Sequence, residues 1–145
     1  MIFKLPVQIR FAHCDPAGIV FYPRYFEIFN TVIEDWCEHG LASSFREMHM
    51  QRGYGLPTAH VECTFLKPSE LGETLQAHLT VTRLGNTSLH IEINLFGPDE
   101  VQRLSANMVL VLMDMTTRKP LPLPEQLRQK MNQYMIQSHI EEKKS

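Results

Sequence analysis

The sequence predicts an α+β domain in which a curved antiparallel sheet wraps around one long central helix. Three observations point there. Residues 24–39 carry eight apolar side chains at helical spacing, a stripe broad enough to need cover on more than one side. Four later segments alternate apolar and polar residues with the period of a strand. The chain has 145 residues, 43% hydrophobic and 21% charged, which suits one domain, residues 1–145, built on a single core.

The elements follow in order. Phe3, Leu5, Val7, Ile9 and Phe11 share one parity and Lys4, Gln8 and Arg10 the other, so residues 3–11 read as a half-buried strand. Pro6 cannot donate to a central ladder and places this strand at an edge or a bulge. In the irregular stretch His13-Cys-Asp-Pro-Ala-Gly18, Pro and Gly mark a turn. The helix follows, with Tyr25, Phe26, Ile28, Phe29, Val32, Ile33, Trp36 and Cys37 on its apolar face. Burying them contributes on the order of 10 kcal/mol before the opposing chain entropy. Gly40 is expected to stop the helix in a left-handed conformation. Residues 41–57 are mixed, broken by Gly53, Gly55 and Pro57.

Strands are expected at 58–65, 75–82, 89–95 and 101–113, the last nearly continuous in apolar residues from Met108 and so central or buried on two faces. A three-residue loop, Gly85-Asn-Thr87, would set Val81 opposite Ile91 and Leu79 opposite Ile93; a one-residue slip would set apolar against polar. A short helix over 125–137 turns Leu127, Met131, Tyr134 and Met135 inward, and a charged tail runs from about residue 138. The outer face of the sheet, with Thr80, Thr82, His90 and Glu92, stays polar or packs on another subunit.

Composition removes several functions. Fourteen Lys and Arg against sixteen Asp and Glu give a net charge of −2, with no electrostatic basis for broad binding to nucleic acid or anionic membrane. No apolar run approaches the ~18 residues of a membrane helix, and Met1-Ile-Phe-Lys-Leu-Pro6 lacks the apolar region of a secretory signal. Cys14, Cys37 and Cys63 are odd in number and widely spaced, which argues against a disulfide framework and makes a cytoplasmic setting the expectation. Neither Cys-x-x-Cys nor His-Glu-x-x-His occurs, so no structural zinc site is apparent.

Chemistry concentrates in His13-Cys-Asp-Pro-Ala-Gly-Ile-Val-Phe-Tyr-Pro-Arg-Tyr-Phe26. Asp15 sits in a Pro- and Gly-containing turn just before the buried helix, with apolar residues behind it. A helix start offers unpaired N–H groups and positive potential, suited to an anion or a polarised carbonyl. A carboxylate beside such donors can attack an acyl carbon or activate water while the N–H groups stabilise the oxyanion. Equally, Asp15 can simply make an Asx-turn, with Gly18 serving the same turn. The residues alone leave both open.

This run resembles the motif of the 4-hydroxybenzoyl-CoA thioesterase family, a group of hotdog-fold acyl-CoA thioesterases. Asp15, Pro16, Ala17, Gly18, Ile19, Val20, Phe21, Tyr22, Pro23 and Tyr25 match it in order. Pro57, Phe65-Leu-Lys-Pro68 and Leu71-Gly72-Glu73 extend the likeness more weakly. The resemblance implies hydrolysis of an acyl-CoA, an aromatic one first, to free acid and CoA, with Asp15 as nucleophile or general base. It implies that the Tyr22 backbone N–H polarises the thioester carbonyl, that Gly18 lets the backbone approach the substrate, and that Pro16, Ile19 and Phe29 border the acyl group. It implies no metal or other cofactor. It also implies a homo-oligomer, a dimer of dimers with sites shared between subunits; a lone sheet of this size would leave its edges exposed. A broad short-chain acyl-CoA thioesterase and a non-catalytic binder of acyl-CoA or acyl-carrier protein are the rivals.

Departures from the motif limit the substrate. His13 stands where the 4-hydroxybenzoyl-CoA enzymes carry another acid; it either orients Asp15 or a water, binds the acyl group, or faces solvent. Asn30 stands where they carry an Asp that reads the substrate hydroxyl. Their basic hairpin cluster shrinks here to Arg83-Leu-Gly-Asn-Thr-Ser88, leaving Arg83 and Ser88 as contacts for CoA phosphates or as ordinary sheet residues. Cys14 beside His13 is a poor nucleophile pair, because adjacent residues seldom face each other. His60, His78 and His90 fall on the polar parity of three strands and are expected at the surface.

Overall fold

The computed structural model describes residues 1–136. Five strands form one antiparallel sheet: β1 (Phe3–Gln8), β3 (Thr58–Phe65), β4 (Thr74–Leu84), β5 (Ser88–Phe96) and β6 (Gln102–Val111), in the order β1-β4-β5-β6-β3. A short pair, β2 (Tyr54–Gly55) and β7 (Met113–Asp114), lies beside it. Helix α1 (Arg24–Asp35) packs on the sheet and runs on into a π turn, Trp36–Gly40. Helix α2 (Glu125–Asn132) closes the fold.

The alternation read from the sequence is what builds the core. Leu75, Ala77, Leu79 and Val81 of β4 and Leu89, Ile91, Ile93 and Leu95 of β5 are buried against Ile28, Phe29, Val32, Ile33 and Trp36 of the helix. Leu79 pairs with Ile93 and Val81 with Ile91, as expected. Pro6 is tolerated because β1 is an edge strand.

Local corrections have identifiable causes. The first strand ends at Gln8, and Phe11 opens a 3-10 turn with its ring 82% exposed. Three residues, 85–87, separate β4 from β5 as expected, with Gly85 N–H donating to the Ser88 carbonyl at 2.8 Å, but next to the loop Leu84 pairs with Leu89 rather than Ser88, one residue out of step. A bulge at Thr82 absorbs the extra residue and restores the predicted pairing below it. On its other edge β4 outruns β1, whose pairing ends at Phe3–Leu79, and there Val81 exchanges backbone bonds with the chain after α2: Val81 N–H to the Tyr134 carbonyl at 2.9 Å and Ile136 N–H to the Val81 carbonyl at 2.8 Å. The last helix therefore stops at Asn132 rather than 137, although Leu127, Met131 and Tyr134 are buried and Met135 half-buried as anticipated.

Gly40 is not left-handed; Ala42 takes the positive φ of 53° instead. What excludes a side chain at Gly40 is space, since a Cβ would stand 2.6 Å from the Trp36 ring and 2.9 Å from the Tyr134 hydroxyl. On α1, Phe26 stays 37% exposed, and Asn30, one turn on, is exposed as well. One sheet covers one side of a helix, so within a single chain this face has no cover. Strand β6 is interior, yet Val109 and Val111 on its outer face are only half-buried. The charged tail falls on residues 137–145, outside those described.

Candidate active site

The turn carrying Asp15 is stitched at its base. Asp15 N–H donates to the Ile19 carbonyl at 3.0 Å and Phe21 N–H to the His13 carbonyl at 2.9 Å. At its tip, Ala17 N–H donates to Asp15 Oδ1 at 2.9 Å and Gly18 N–H to the Asp15 carbonyl at 3.0 Å. Gly18 has φ +79°, a conformation that costs other residues steric strain. So the Asx-turn is present, and it fixes the carboxylate through one oxygen.

The stitched turn is bound in turn to the segment 69–73. Val20 N–H donates to the Ser69 carbonyl at 3.0 Å, and Leu71 N–H to the Gly18 carbonyl at 2.9 Å. Helix α1 begins directly beyond. Its first donors turn back on the chain: Arg24 N–H to Phe21, Tyr25 N–H to Tyr22 and Phe26 N–H to Pro23, at 2.9, 3.2 and 3.2 Å. Pro23 has no N–H to give. The Tyr22 N–H has no acceptor among the described residues, and Tyr22 is 60% exposed. This end of the molecule is aromatic and open. Phe21, Phe65 and Leu66 are each about half exposed; the Phe21 and Tyr22 rings meet edge-on at 5.5 Å, and Tyr22 and Phe65 at 6.3 Å.

The remaining candidates divide. Pro16 is exposed at the tip of the turn; Ile19 is half-buried and bridged to Glu70. His13 is half-buried, and its Nδ1 accepts the Arg10 N–H at 2.9 Å, so this ring nitrogen caps the turn before Asp15. Phe29 is fully buried beneath Phe26, their rings edge-on at 5.7 Å, while Asn30 faces outward. Arg83 and Ser88 lie at the hairpin, at the opposite end of β4 from Thr74, roughly 30 Å away along the strand. Within one chain, then, one short loop carries both Asp15 and the Tyr22 N–H, and the hairpin pair does not join it.

Other reactive groups are occupied or inert. Cys14 Sγ lies 3.5 Å from the Arg10 carbonyl, and no bond joins it to His13. Burial pushes the Cys37 thiol up to about 12, so no thiolate forms there near neutrality. His60, on the exposed outer face, lies 3.2 Å from Glu62. His78 stacks on Phe96 at 4.8 Å, where burial and then Lys4 lower its pKa. Among the described residues no helix is long and apolar enough to cross a membrane.

One group escaped sequence reasoning. Arg103 is the extra residue of a bulge, since Leu104 pairs with Leu95 but Gln102 with Phe96. The bulge turns its side chain away from the outer sheet face, leaving it 3% exposed. Its guanidinium forks onto Glu73, Nη1 to Oε1 at 2.8 Å and Nη2 to Oε2 at 3.1 Å, and Nη2 also reaches Asp99 at 3.1 Å. The Arg103 bonds hold the Glu73 carboxyl below its usual range. Asp99 is lowered to about 2, chiefly by the Val101 N–H and then by Arg103 and Lys67. The signal in the sequence was an arginine at the entry to an otherwise apolar strand.

Known proteins share this fold. The model of the thioesterase-like superfamily matches residues 9–131. A 1,4-dihydroxy-2-naphthoyl-CoA hydrolase of Prochlorococcus marinus is 25% identical over 142 residues, covering 93% of this chain and 92% of its own. The enzyme so named in Synechococcus elongatus is 27% identical over 121 residues, covering 83% and 88%. Among solved structures, a 1,4-dihydroxy-2-naphthoyl-CoA thioesterase from Synechocystis superposes with TM-score 0.82 at 20% identity, covering 91% of this chain and 96% of its own. A Staphylococcus aureus protein solved in complex with CoA gives TM-score 0.83 at 20% identity, covering 92% and 84%. With most of its length matched by that one family model, and the same fold in these structures, the chain belongs to the thioesterase-like superfamily.

Proposed function

We propose that this protein is an acyl-CoA thioesterase acting on an aromatic acyl-CoA, with Asp15 as the reacting carboxylate. The observation that carries the proposal is one short loop that holds both a turn-fixed aspartate and, at the start of α1, the unengaged Tyr22 N–H. In this reading the thioester carbonyl accepts the Tyr22 N–H. Asp15 either attacks the carbonyl carbon, giving a mixed anhydride that water then opens, or takes a proton from the water that attacks. Both routes expel the CoA thiolate and release the free acid. The positive end of the helix favours the developing oxyanion. Gly18 keeps the approach to the carbonyl open, and Pro16 and Ile19 border it.

The aromatic surroundings of Tyr22 support an aryl group, and the 25–27% identical relatives extend the choice from hydroxybenzoyl to hydroxynaphthoyl esters. Asn30 keeps a hydrogen-bonding group on the open helix face where a ring hydroxyl would be read.

Free-thiol release from benzoyl-, 4-hydroxybenzoyl-, 1,4-dihydroxy-2-naphthoyl-, acetyl-, butyryl- and palmitoyl-CoA tests the reading. The expected result is selective turnover of an aryl ester. Turnover of aliphatic esters alone would keep the mechanism and replace the substrate class. Tight binding of all with turnover of none would leave a non-catalytic binder.

The site belongs to an oligomer in this proposal. The uncovered Phe26 and Asn30 face, the exposed edge strand β3, and the distance between Asp15 and the Arg83–Ser88 hairpin all favour a second copy that brings its hairpin toward the first copy's Asp15. Light scattering at micromolar concentration is expected to give a dimer or a dimer of dimers; a monomer with full activity would refute the shared site.

A further inference from the structure

We infer that Arg103 is a positioning residue for the proposed thioesterase site, acting by clamping the turn to which the Asp15 loop is bound. This rests on the reading of Asp15 given above. The chain of contacts is short and continuous. Arg103 Nη1 donates to the Pro68 carbonyl at 3.2 Å, to Ser69 Oγ at 3.3 Å and to Glu73 at 2.8 Å. Its own carbonyl accepts the Leu66 and Lys67 N–H groups at 2.9 and 3.2 Å. One residue therefore holds both ends of the segment 66–73. That segment supplies the Ser69 carbonyl to Val20 and the Leu71 N–H to Gly18, the two bonds that fix the loop from outside. Glu73 is tied in twice more, its carboxylate accepting the Glu70 N–H at 2.7 Å and its carbonyl the Ile9 N–H at 2.8 Å.

The fold makes room for this clamp at some cost. A Cβ on Gly97 would stand 2.1 Å from Arg103 Nη2 and 2.4 Å from its Cζ, so Gly97 leaves the path the side chain takes. Arg103 Nε is buried without a partner. A buried guanidinium that gives up one hydrogen bond, yet forks onto a carboxylate and two acceptors of a single turn, is arranged for geometry. Lysine can replace its charge but not the fork.

The test compares Arg103→Lys with Leu127→Ala, a core truncation on α2, and includes Asp15→Asn. Each is assayed well below its melting temperature. Arg103→Lys is expected to lower kcat by about 10- to 100-fold with KM changed less than about 3-fold, as for a misplaced reacting group. Amide exchange at Val20 and Leu71 should quicken in the same variant. Leu127→Ala should lower the melting temperature and leave kcat and both amides unchanged. Where Arg103→Lys does not fold, Glu73→Gln, which keeps the shape and removes the charge, should move both readouts in the same direction. Wild-type kcat with unaltered exchange at Val20 and Leu71 would overturn the inference. Normal turnover by Asp15→Asn would instead overturn the underlying mechanism, and the exchange data would still decide whether the clamp exists.

Discussion

Asp15→Asn is expected to lower kcat by at least about 100-fold and to leave KM within a small factor. The substitution separates the turn-forming role observed for Asp15 from the catalytic role proposed for it. Asparagine keeps an oxygen where Oδ1 accepts the Ala17 N–H, so the Asx-turn and the backbone bonds around it should survive. What disappears is the negative charge and the nucleophilic oxygen. Steady-state kinetics on the best ester of the panel, with CoA-ester affinity measured separately, reads the difference. A large loss in kcat with retained affinity is the signature of an interaction made in the transition state. Unchanged turnover would mean that Asp15 only shapes the turn, and the catalytic carboxylate would have to be sought elsewhere.

Trp36→Ala is expected to destabilise the fold by about 3–5 kcal/mol, a large part of the roughly 5–15 kcal/mol that holds a domain together. Trp36 has no exposed surface, and its ring meets Tyr134 edge-on at 5.6 Å. It joins the end of α1 to the chain after α2, and Tyr134 then donates to the Gly40 carbonyl at 3.3 Å. Removing the indole opens a cavity between elements far apart in sequence. Trp36→Phe should cost less than half as much, because the indole N–H is buried without a partner and no hydrogen bond is lost with it. Denaturant midpoints at fixed protein concentration check both values. A loss below about 1 kcal/mol in Trp36→Ala would contradict the packing described.

Periodicity exposed the helix, the long strands and the pairing of Val81 with Ile91, because each of those is set by which side of an element must be buried. It could not show where that burial ends. Phe26 carries the same apolar signal as Phe29, yet one is partly open and the other sealed, since the difference lies in the width of the sheet across from them. Bulges were invisible for a related reason. At Thr82 and Arg103 one extra residue shifts the parity of everything beyond it, and only the partner strand reveals the shift. Asp15, Gly18 and Tyr22 could be marked because they fall together in one short run. Arg103 lies 88 positions from Asp15 and reaches its loop only through a third segment, a relation that local pattern does not encode.

The sheet order bears on how the chain is made. β4, β5 and β6 are neighbours both in sequence and in space, whereas β1 and β3 attach to the outer edges of that meander across long separations. During synthesis both edge strands and the whole of α1 leave the ribosome before the strands that receive them. At about 5–20 residues per second, the stretch from Gly40 to Val111 takes several seconds to appear. For that interval Ile28, Phe29, Val32 and Trp36 form a greasy nascent surface with nothing to cover it. The arrangement that gives the finished protein a helix lined by one continuous sheet also gives the growing chain its period of greatest need for a chaperone.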